Sequence, residues 1–565
     1  MRLVIIGGIA AGMKAAAKAR RCNPSAQITV VEKGNLVSYG ACGLPYYIMG
    51  EVGDVSDLSR TSSGVFRSPA YFKSVKNVNV LTRTEATAID RHAKTVALKN
   101  LETGEEFSLP YDKLVLATGA SPVKPPLPGI DLQNIFHLRH PDDAAAIVDG
   151  LKKGKFTKAA IIGAGLIGME MAEAFLVWGI DFTVIEMQEH ILPGMLDNEL
   201  AIIAENYLRK EGIQLLTAEK VLRFVGEGEV AAVETDKRTI PADFVIMAVG
   251  VRPNVELARA AGLNIGPTGA IAVDDHLRTS DPDIYAGGDC VENLHVVTGK
   301  KVFAPMGSTA NKHGRIIGEN ICGGNVSFRG VAATSVAKIL DLNVGKSGLT
   351  EREAKEAGYN AVAVTTVADD RPHYMKNAKP VIIKLVAEAA TRRVLGVQAV
   401  GEGDIVKQIN VVASVLSHGG TIDNLFDVDL AYAPPFSSPI DNIAVAANAL
   451  TNKLANHFKG ITPEEAKKRV ESGHAVFLDV RTPQECRQSR IAGCQNIYYI
   501  PLEELRNRLD NLDKNRETIP FCKIGLRGYE AECILEAEGF KNVSVMEGGL
   551  FCWPYDTEEQ SKNTG

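Results

Sequence analysis

The sequence predicts an α/β protein with two dinucleotide-binding βαβ units, then an α+β unit, then a small separate α/β domain. Three observations carry this prediction. A strand, a glycine loop, a helix and a strand ending on an acid occur in that order twice, at residues 2–32 and 159–186. Residues 331–448 change to Val/Ala/Thr-rich strand segments followed by an apolar helix near Val406–Ser417. The last ~105 residues hold strands of their own (AVFLDV, NIYYI, TIPFC, NVSVM), enough for an independent core.

Composition agrees with a multidomain globular chain. Its 565 residues are 45% hydrophobic and 23% charged, which excludes a disordered, fibrous or disulfide-stapled protein. A net charge of -6 leaves no overall basic footprint for nucleic acid. No apolar run approaches the roughly 18–20 residues of a membrane span. The apolar start LVIIGGIAAG follows only Arg2 and places its glycines where a strand-to-helix turn needs them. It therefore reads as folded structure, and the protein as cytoplasmic. Nine cysteines without framework spacing fit reduced thiols, one or two of them reactive. The histidines do not pair with Cys or acids at ligand spacing, so no metal is expected.

Each element follows from its residues. RLVII (2–6) is a buried parallel strand, Met13–Arg21 a helix, and ITVVE (28–32) a strand ending on Glu32. The loop between them has Gly7, Gly8 and Gly12 but lacks the middle glycine of the usual pattern. The second unit is complete: Gly163, Gly165 and Gly168 follow a strand and open a helix, and Glu186 ends the next strand. Such glycines let the backbone approach a pyrophosphate at a helix N-terminus, and the acid can accept from a ribose hydroxyl. Met187 and Gln188 follow, with no nearby Arg for a 2′-phosphate, which favours NADH over NADPH. YDKLVLATGA (111–120) and VIMAVG (245–250) are strand-turns. TSDPDIYAGGD adds Asp289 after two glycines, a carboxylate able to grip a larger nucleotide. Two loops with these turns point to FAD plus a nicotinamide.

Two cysteines have settings that suit chemistry. Cys42 lies in SYGACGLPY with no second cysteine four or five residues away, so it would work through a mixed disulfide or persulfide. The alternative is a small buried core thiol. Cys522 opens CKIGLR between a strand and a helix. Amides of such a loop can point inward as an anion nest, and Lys523 and Arg527 add positive charge. The alternative there is a phosphate loop with an incidental cysteine. The other seven cysteines read as structural. Tyr432-Ala-Pro-Pro-Phe436 is a rigid aromatic turn. The polar stretch from Thr451 to Gly460 reads as a linker into a helix capped by Thr462.

Residues 1–450 resemble the single-cysteine flavin disulfide reductases, which include coenzyme A-disulfide reductase, NADH oxidase and NADH peroxidase. The motifs are GGIAAG, SYGACGLPY, YDKLVLATGA, GAGLIGME, TSDPDIYAGGD and AYAPPF. Residues from about 456 onward resemble a rhodanese sulfurtransferase domain through DVRTPQE, CKIGLRGY and GGLFCW. The order of motifs is similar to that of coenzyme A-disulfide reductase–rhodanese fusions, NADH-dependent persulfide or polysulfide reductases.

The resemblance implies two Rossmann-like dinucleotide-binding domains, an α+β dimerisation domain and a C-terminal rhodanese α/β domain. Their expected bounds are 1–119 with 251–325 for FAD, 120–250 for NADH, 326–450 for dimerisation, 451–460 as linker and 461–565 for the rhodanese part. It implies FAD on Gly7, Gly8, Ala10, Ala11, Gly12, Glu32, Lys33, Ser38, Ala86, Thr118, Gly119, Asp289 and Ala310. It implies NADH on Gly163, Gly165, Leu166, Ile167, Gly168, Glu186 and Gly250. Cys42 would be the redox thiol, Cys522 the sulfur carrier with Arg527 beside it, and Tyr374 and Tyr432 proton donors. The substrate would be a low-molecular-weight persulfide, a disulfide, polysulfide or elemental sulfur, with coenzyme A a possible substrate or ligand, and the protein a homodimer. An NADH oxidase or peroxidase cycling Cys42 through sulfenic acid, or a non-catalytic redox sensor, are the other readings. The chain departs from the family at Ala41, where Asn is usual, at His373, where a second tyrosine is common, and at Ile440, where a basic residue is usual; relatives use several of these positions to grip coenzyme A.

Overall fold

A computed structural model describes residues 1–559. The chain divides into two compact units, one of residues 1–187 and 216–331, the other of residues 188–215 and 332 onward. Among the described residues no helix is long and apolar enough to cross a membrane.

The first unit contains two parallel sheets. One has strands in the order 284–286, 113–116, 2–6, 27–31, 79–81. Leu3, Ile5, Ile28 and Val30 are fully or nearly buried in it, as strands covered on both faces require. Helices Ala11–Cys22 and Gly307–Asn320 pack on it, joined at their rim by the Lys18–Glu319 ion pair at 3.0 Å. The other sheet places 158–162 between 181–185 and 244–247, with 135–136 beyond. Strand 120–122 pairs antiparallel with 251–253, so the chain enters and leaves the second sheet region through one two-stranded crossing.

The second unit is built on a five-stranded antiparallel sheet, in the order 335–339, 342–348, 394–401, 380–388, 361–369. Helices Val406–Ser417 and Asn442–Leu454 cover it. Its C-terminal part has a parallel sheet of 497–499, 475–479 and 517–521 and a separate parallel pair, 460–461 with 545–546. Helix Pro463–Glu471 starts as its sequence predicts, with Thr462 Oγ1 accepting from Glu465 N at 3.2 Å. Residues 560–565 of the expected C-terminal domain lie outside the described residues.

Two stretches bear on the expected boundaries. Residues 188–215, within the span expected for the NADH domain, group with the second unit, and strand Gln214–Leu216 at their end stands at the edge of the sheet of 181–185, 158–162, 244–247 and 135–136. The reason is a buried charge cluster. Lys384 Nζ lies 2.9 Å from Asp197, 2.8 Å from Glu351 and in contact with Glu199. Gln398 exchanges two hydrogen bonds with Asp197, both at 2.6 Å. The three carboxylates lie close enough to share one cation, and the Lys384 ammonium is that cation. Burial alone would raise Asp197, but Lys384, Gln398 and the Glu351 amide bring it down to about 2.

The second stretch is the expected 451–460 linker. Helix Asn442–Leu454 runs through its first four residues: Ile443, Ala447 and Leu450 form a buried stripe, and Thr451–Leu454 after them are half-buried. Lys453 Nζ donates to Ala363 O at 2.8 Å and pairs with Glu547 at 2.6 Å. Lys459 N donates to Glu532 at 2.9 Å, and Gly460 already belongs to a strand. The stretch is therefore held at several points rather than free.

Candidate active sites

Both glycine loops have the same construction. Gly7 and Gly163 adopt φ of +108° and +100°, and a Cβ on either would sit 2.0 Å from Ala117 O or 2.5 Å from Ala248 O. Only glycine satisfies both constraints. The acid at the end of the following strand then braces the loop: Glu32 accepts from Gly8 N at 2.7 Å, and Glu186 accepts from Ala164 N at 2.8 Å. The sequence pointed to these acids as ribose acceptors. Their role in holding the loop has no signal in the sequence beyond their spacing. At Gly165 a Cβ would meet nothing within 4 Å, so the space ahead of helix Leu166–Trp178 is open. Leu166, Ile167 and Gly168 supply the first-turn amides that such a helix leaves unpaired. Gly250, at φ +95°, immediately precedes strand Val251–Pro253 of the crossing, and its carbonyl accepts from Val123 N at 2.9 Å.

Around the first loop, Ala10 and Ala11 begin the helix and Gly12 packs on Gly7 O. A Cβ on Gly288 would lie 3.2 Å from Ala11 Cβ and 3.7 Å from Ala310 Cβ, so loop, AGGD turn and helix Gly307–Asn320 converge. Ser38 N donates to Gly8 O at 2.8 Å. Lys33 pairs with Glu85, next to Ala86, at 2.7 Å. Thr118 and Gly119 are clasped by Asn254, which receives the Thr118 hydroxyl at 2.7 Å and donates to Gly119 O at 2.9 Å through its amide. Asp289 is half-buried and its carboxyl accepts no hydrogen bond from the described protein. Burial raises it, against the opposing Arg139. An unsatisfied acceptor on the turn that packs against the first glycine loop fits a polyhydroxyl ligand such as the ribityl chain of FAD.

Cys42 lies in the short helical turn Ala41–Gly43, ahead of helix Leu44–Met49. It is exposed. Burial raises its thiol, Glu170 and Asp289 add to this, and Arg139 opposes it. A Cβ on Gly307 would lie 4.0 Å from its Sγ. Trp178 Nε1 donates to Ile48 O at 2.6 Å, which ties this segment to the helix of the second loop. The thiol thus belongs to the same unit as both loops. Sequence reasoning missed Glu170, which burial raises to about 7, and Arg139. Glu170 stands two residues after Gly168, a weak signal; Arg139 has none.

The remaining predicted residues lie in the second unit. Tyr374 is 64% exposed and Tyr432 also stands out of the surface. Tyr374 and Ile524 line a cleft of about 410 Å³, with Asp369, Arg371, Ser438 and Pro439. Ile524 belongs to the Cys522 loop, so this loop faces the 369–374 turn. Cys522 itself is fully buried, and Gly525 N donates to its Sγ at 3.2 Å. Arg527 is held by Glu485 through hydrogen bonds of 2.7 and 2.8 Å. That pairing brings Glu485 down to about 2 and raises Arg527, with Cys522 a smaller contributor to the latter. The sequence named Arg527 but not the Glu485 that orients it.

Known proteins resemble this chain along 98% of its length. Residues 1–307 match the pyridine nucleotide-disulphide oxidoreductase family, 334–444 its dimerisation domain and 462–554 the rhodanese-like domain. The structure of a NAD-dependent persulfide reductase from A. fulgidus is 45% identical, with a TM-score of 0.94 over 98% of this chain and 100% of that one. The reduced CoADR-RHD of Bacillus anthracis is 32% identical, with a TM-score of 0.91 over 98% of this chain and 97% of that one. An NAD(P)H sulfur oxidoreductase (CoA-dependent) of Pyrococcus abyssi is 39% identical over 448 residues, 79% of this chain and 98% of its own.

Proposed function

Since this chain belongs to the pyridine nucleotide-disulphide oxidoreductase family and carries a rhodanese-like domain, we propose that it is an NADH-dependent flavoprotein that reduces sulfur–sulfur bonds through Cys42. The substrate class is a persulfide, polysulfide, elemental sulfur or low-molecular-weight disulfide, with coenzyme A a candidate carrier. The observation that supports this best is one chain holding an exposed thiol, Cys42, in the same unit as two glycine loops and, at Cys522, a second thiol backed by a loop amide.

In this reading the Cys42 thiolate attacks the sulfane sulfur of a persulfide. The carrier thiolate leaves and a new S–S bond forms on Cys42. FAD and NADH, when bound, would supply the electron pair needed to release that sulfur as sulfide and leave Cys42 as a thiolate. Gly7, Gly8, Gly12, Glu32, Thr118, Gly119 and Asp289 would hold the flavin nucleotide, and Gly163, Gly165, Gly168 and Glu186 the NADH. Glu186 disfavours a 2′-phosphate, hence NADH over NADPH. Cys522 carries sulfane sulfur, with Arg527 supporting its charge. Tyr374 and Tyr432, exposed on the dimerisation domain, donate a proton to leaving sulfur in a homodimer. Nine unpaired thiols suit the cytoplasm. The Cys522 loop favours sulfur chemistry over an NADH oxidase, which has no use for a sulfur carrier.

The test is anaerobic oxidation of NADH, with NADPH as comparison, against a panel of persulfides, polysulfide and soluble disulfides. NADH should be oxidised with a persulfide or polysulfide and NADPH more slowly. Cys522→Ser should keep turnover of soluble substrates and lose that of donors needing sulfur transfer. Equal loss on both would make the C-terminal domain structural only, and turnover with oxygen alone would favour an oxidase. Replacing Asp289 with Ala should lower bound flavin well below one per chain, measured by absorbance after gel filtration. Full flavin occupancy would remove Asp289 from the site.

A further inference from the structure

Glu547 is 3% exposed, yet its carboxylate makes no hydrogen bond within its own C-terminal domain. Of its two side-chain partners, Thr365 lies on the dimerisation domain and Lys453 on helix Asn442–Leu454, which covers its sheet. Lys453 Nζ donates to Oε1 at 2.6 Å, and Thr365 N donates to Oε2 at 2.8 Å. Thr365 belongs to Ala361–Asp369, the edge strand of the five-stranded sheet, whose outward amides have no strand to receive them among the described residues. Lys453 is fixed in turn by Ala363 O of the same strand. A buried carboxylate is costly unless such partners meet it, so the contact sets one docking position rather than a range.

The residues after Glu547 reach the sulfur-carrying loop directly. Gly548 and Gly549 turn with φ of +68° and +58°. Leu550 N then donates to Cys522 O at 2.8 Å, and Phe551 N to Lys523 O at 2.9 Å. From the edge-strand amide to Cys522 the path is thus one side chain, a two-glycine turn and two backbone hydrogen bonds.

We propose that Glu547 is a positioning residue that fixes the Cys522 loop on the edge strand of the dimerisation domain, so that sulfur leaves Cys522 from a set place and not from a swinging domain. This rests on the sulfur-carrying role of Cys522 proposed above. Glu547 touches neither thiol and acts only through the turn that follows it.

The experiment uses the full-length holoenzyme with Glu547→Ala, Lys453→Met and the pair together. Sulfur transfer from thiosulfate to cyanide reads Cys522 alone: the sulfane sulfur moves onto the thiolate as sulfite leaves, then to cyanide as thiocyanate. NADH oxidation with a soluble disulfide reads Cys42 alone. Both should stay near wild type. NADH oxidation with polysulfide should fall about tenfold in kcat with KM little changed, as a misplaced group costs rate more than binding. The double variant should lose no more than the worse single one, since both break one contact. Amide exchange at Thr365 should speed about tenfold in Glu547→Ala, a readout independent of turnover. Unchanged exchange, or equal loss in all three activities, would overturn the proposal. Wild-type protein inactive on polysulfide would overturn the proposed function, while the exchange result would still decide whether Glu547 fixes the loop.

Discussion

Cys42→Ser is expected to reduce turnover of persulfide and disulfide substrates below about 1% of wild type while NADH still reduces the bound flavin at a near-normal rate. The two half-reactions separate because the thiol enters only after the electron pair has arrived. A serine hydroxyl can neither ionise at neutral pH nor form a bond that two electrons cleave. The other thiols of the first unit give no substitute: Cys290 is fully buried, Cys322 donates to Ala19 O, and Cys22 ends the first helix. Stopped-flow absorbance at the flavin band, followed by steady-state turnover, measures both halves. Residual turnover above a few per cent would make Cys42 a structural thiol and sink the mechanism.

Lys384→Met is expected to destabilise the second unit by about 3–5 kcal/mol, because it leaves buried carboxylates without their cation. Lys384, Asp197 and Gln398 are nearly fully buried, and the cluster joins helix Asn198–Lys210 to the dimerisation sheet. The pH dependence follows from the sign of the shifts. In the native cluster Asp197 is held down to about 2, so its contribution is present above the ordinary carboxylate range and lost only as pH falls through that low value. In the variant the same acids would sit above their unfolded values. The deficit should therefore be largest at pH 7–8 and shrink toward about pH 5. Urea midpoints of wild type and variant at the two pH values test this. Adding Asp197→Asn, Glu199→Gln and Glu351→Gln to Lys384→Met should recover much of the loss, since a neutral cluster needs no counter-charge. An equal midpoint at both pH values would show that the loss comes from packing instead.

What could be read from the sequence is what local backbone chemistry dictates. Gly7 and Gly163 occupy positions only glycine tolerates, and they stand between strand and helix patterns that need no distant partner. The Thr462 cap lies three residues from the amide it serves. What could not be read depends on residues far apart in the chain. Gln188–Leu215 looks like the continuation of a nucleotide unit until Lys384 draws Asp197 and Glu199 into another. Thr451–Leu454 is polar because it is the last turn of a half-exposed helix, and polarity alone cannot distinguish that from a linker. Arg139 and Glu170 come to Cys42 from elements that share no motif with it.

The excursion of Gln188–Leu215 also bears on how the chain is made. Asp197 leaves the ribosome 201 residues before Gln398, its hydrogen-bond partner. At usual synthesis rates that interval is on the order of ten to forty seconds. Throughout it helix Asn198–Lys210 has its acidic start in water and its apolar face, Leu200, Ala204 and Leu208, without a sheet to cover it. The nascent first unit must meanwhile close around the gap this segment leaves, between Met187 and Leu216. A protein released early, anywhere between residues 216 and 384, would carry that amphipathic helix unpaired, and it is there that chaperone binding or proteolysis of the unfinished chain should begin.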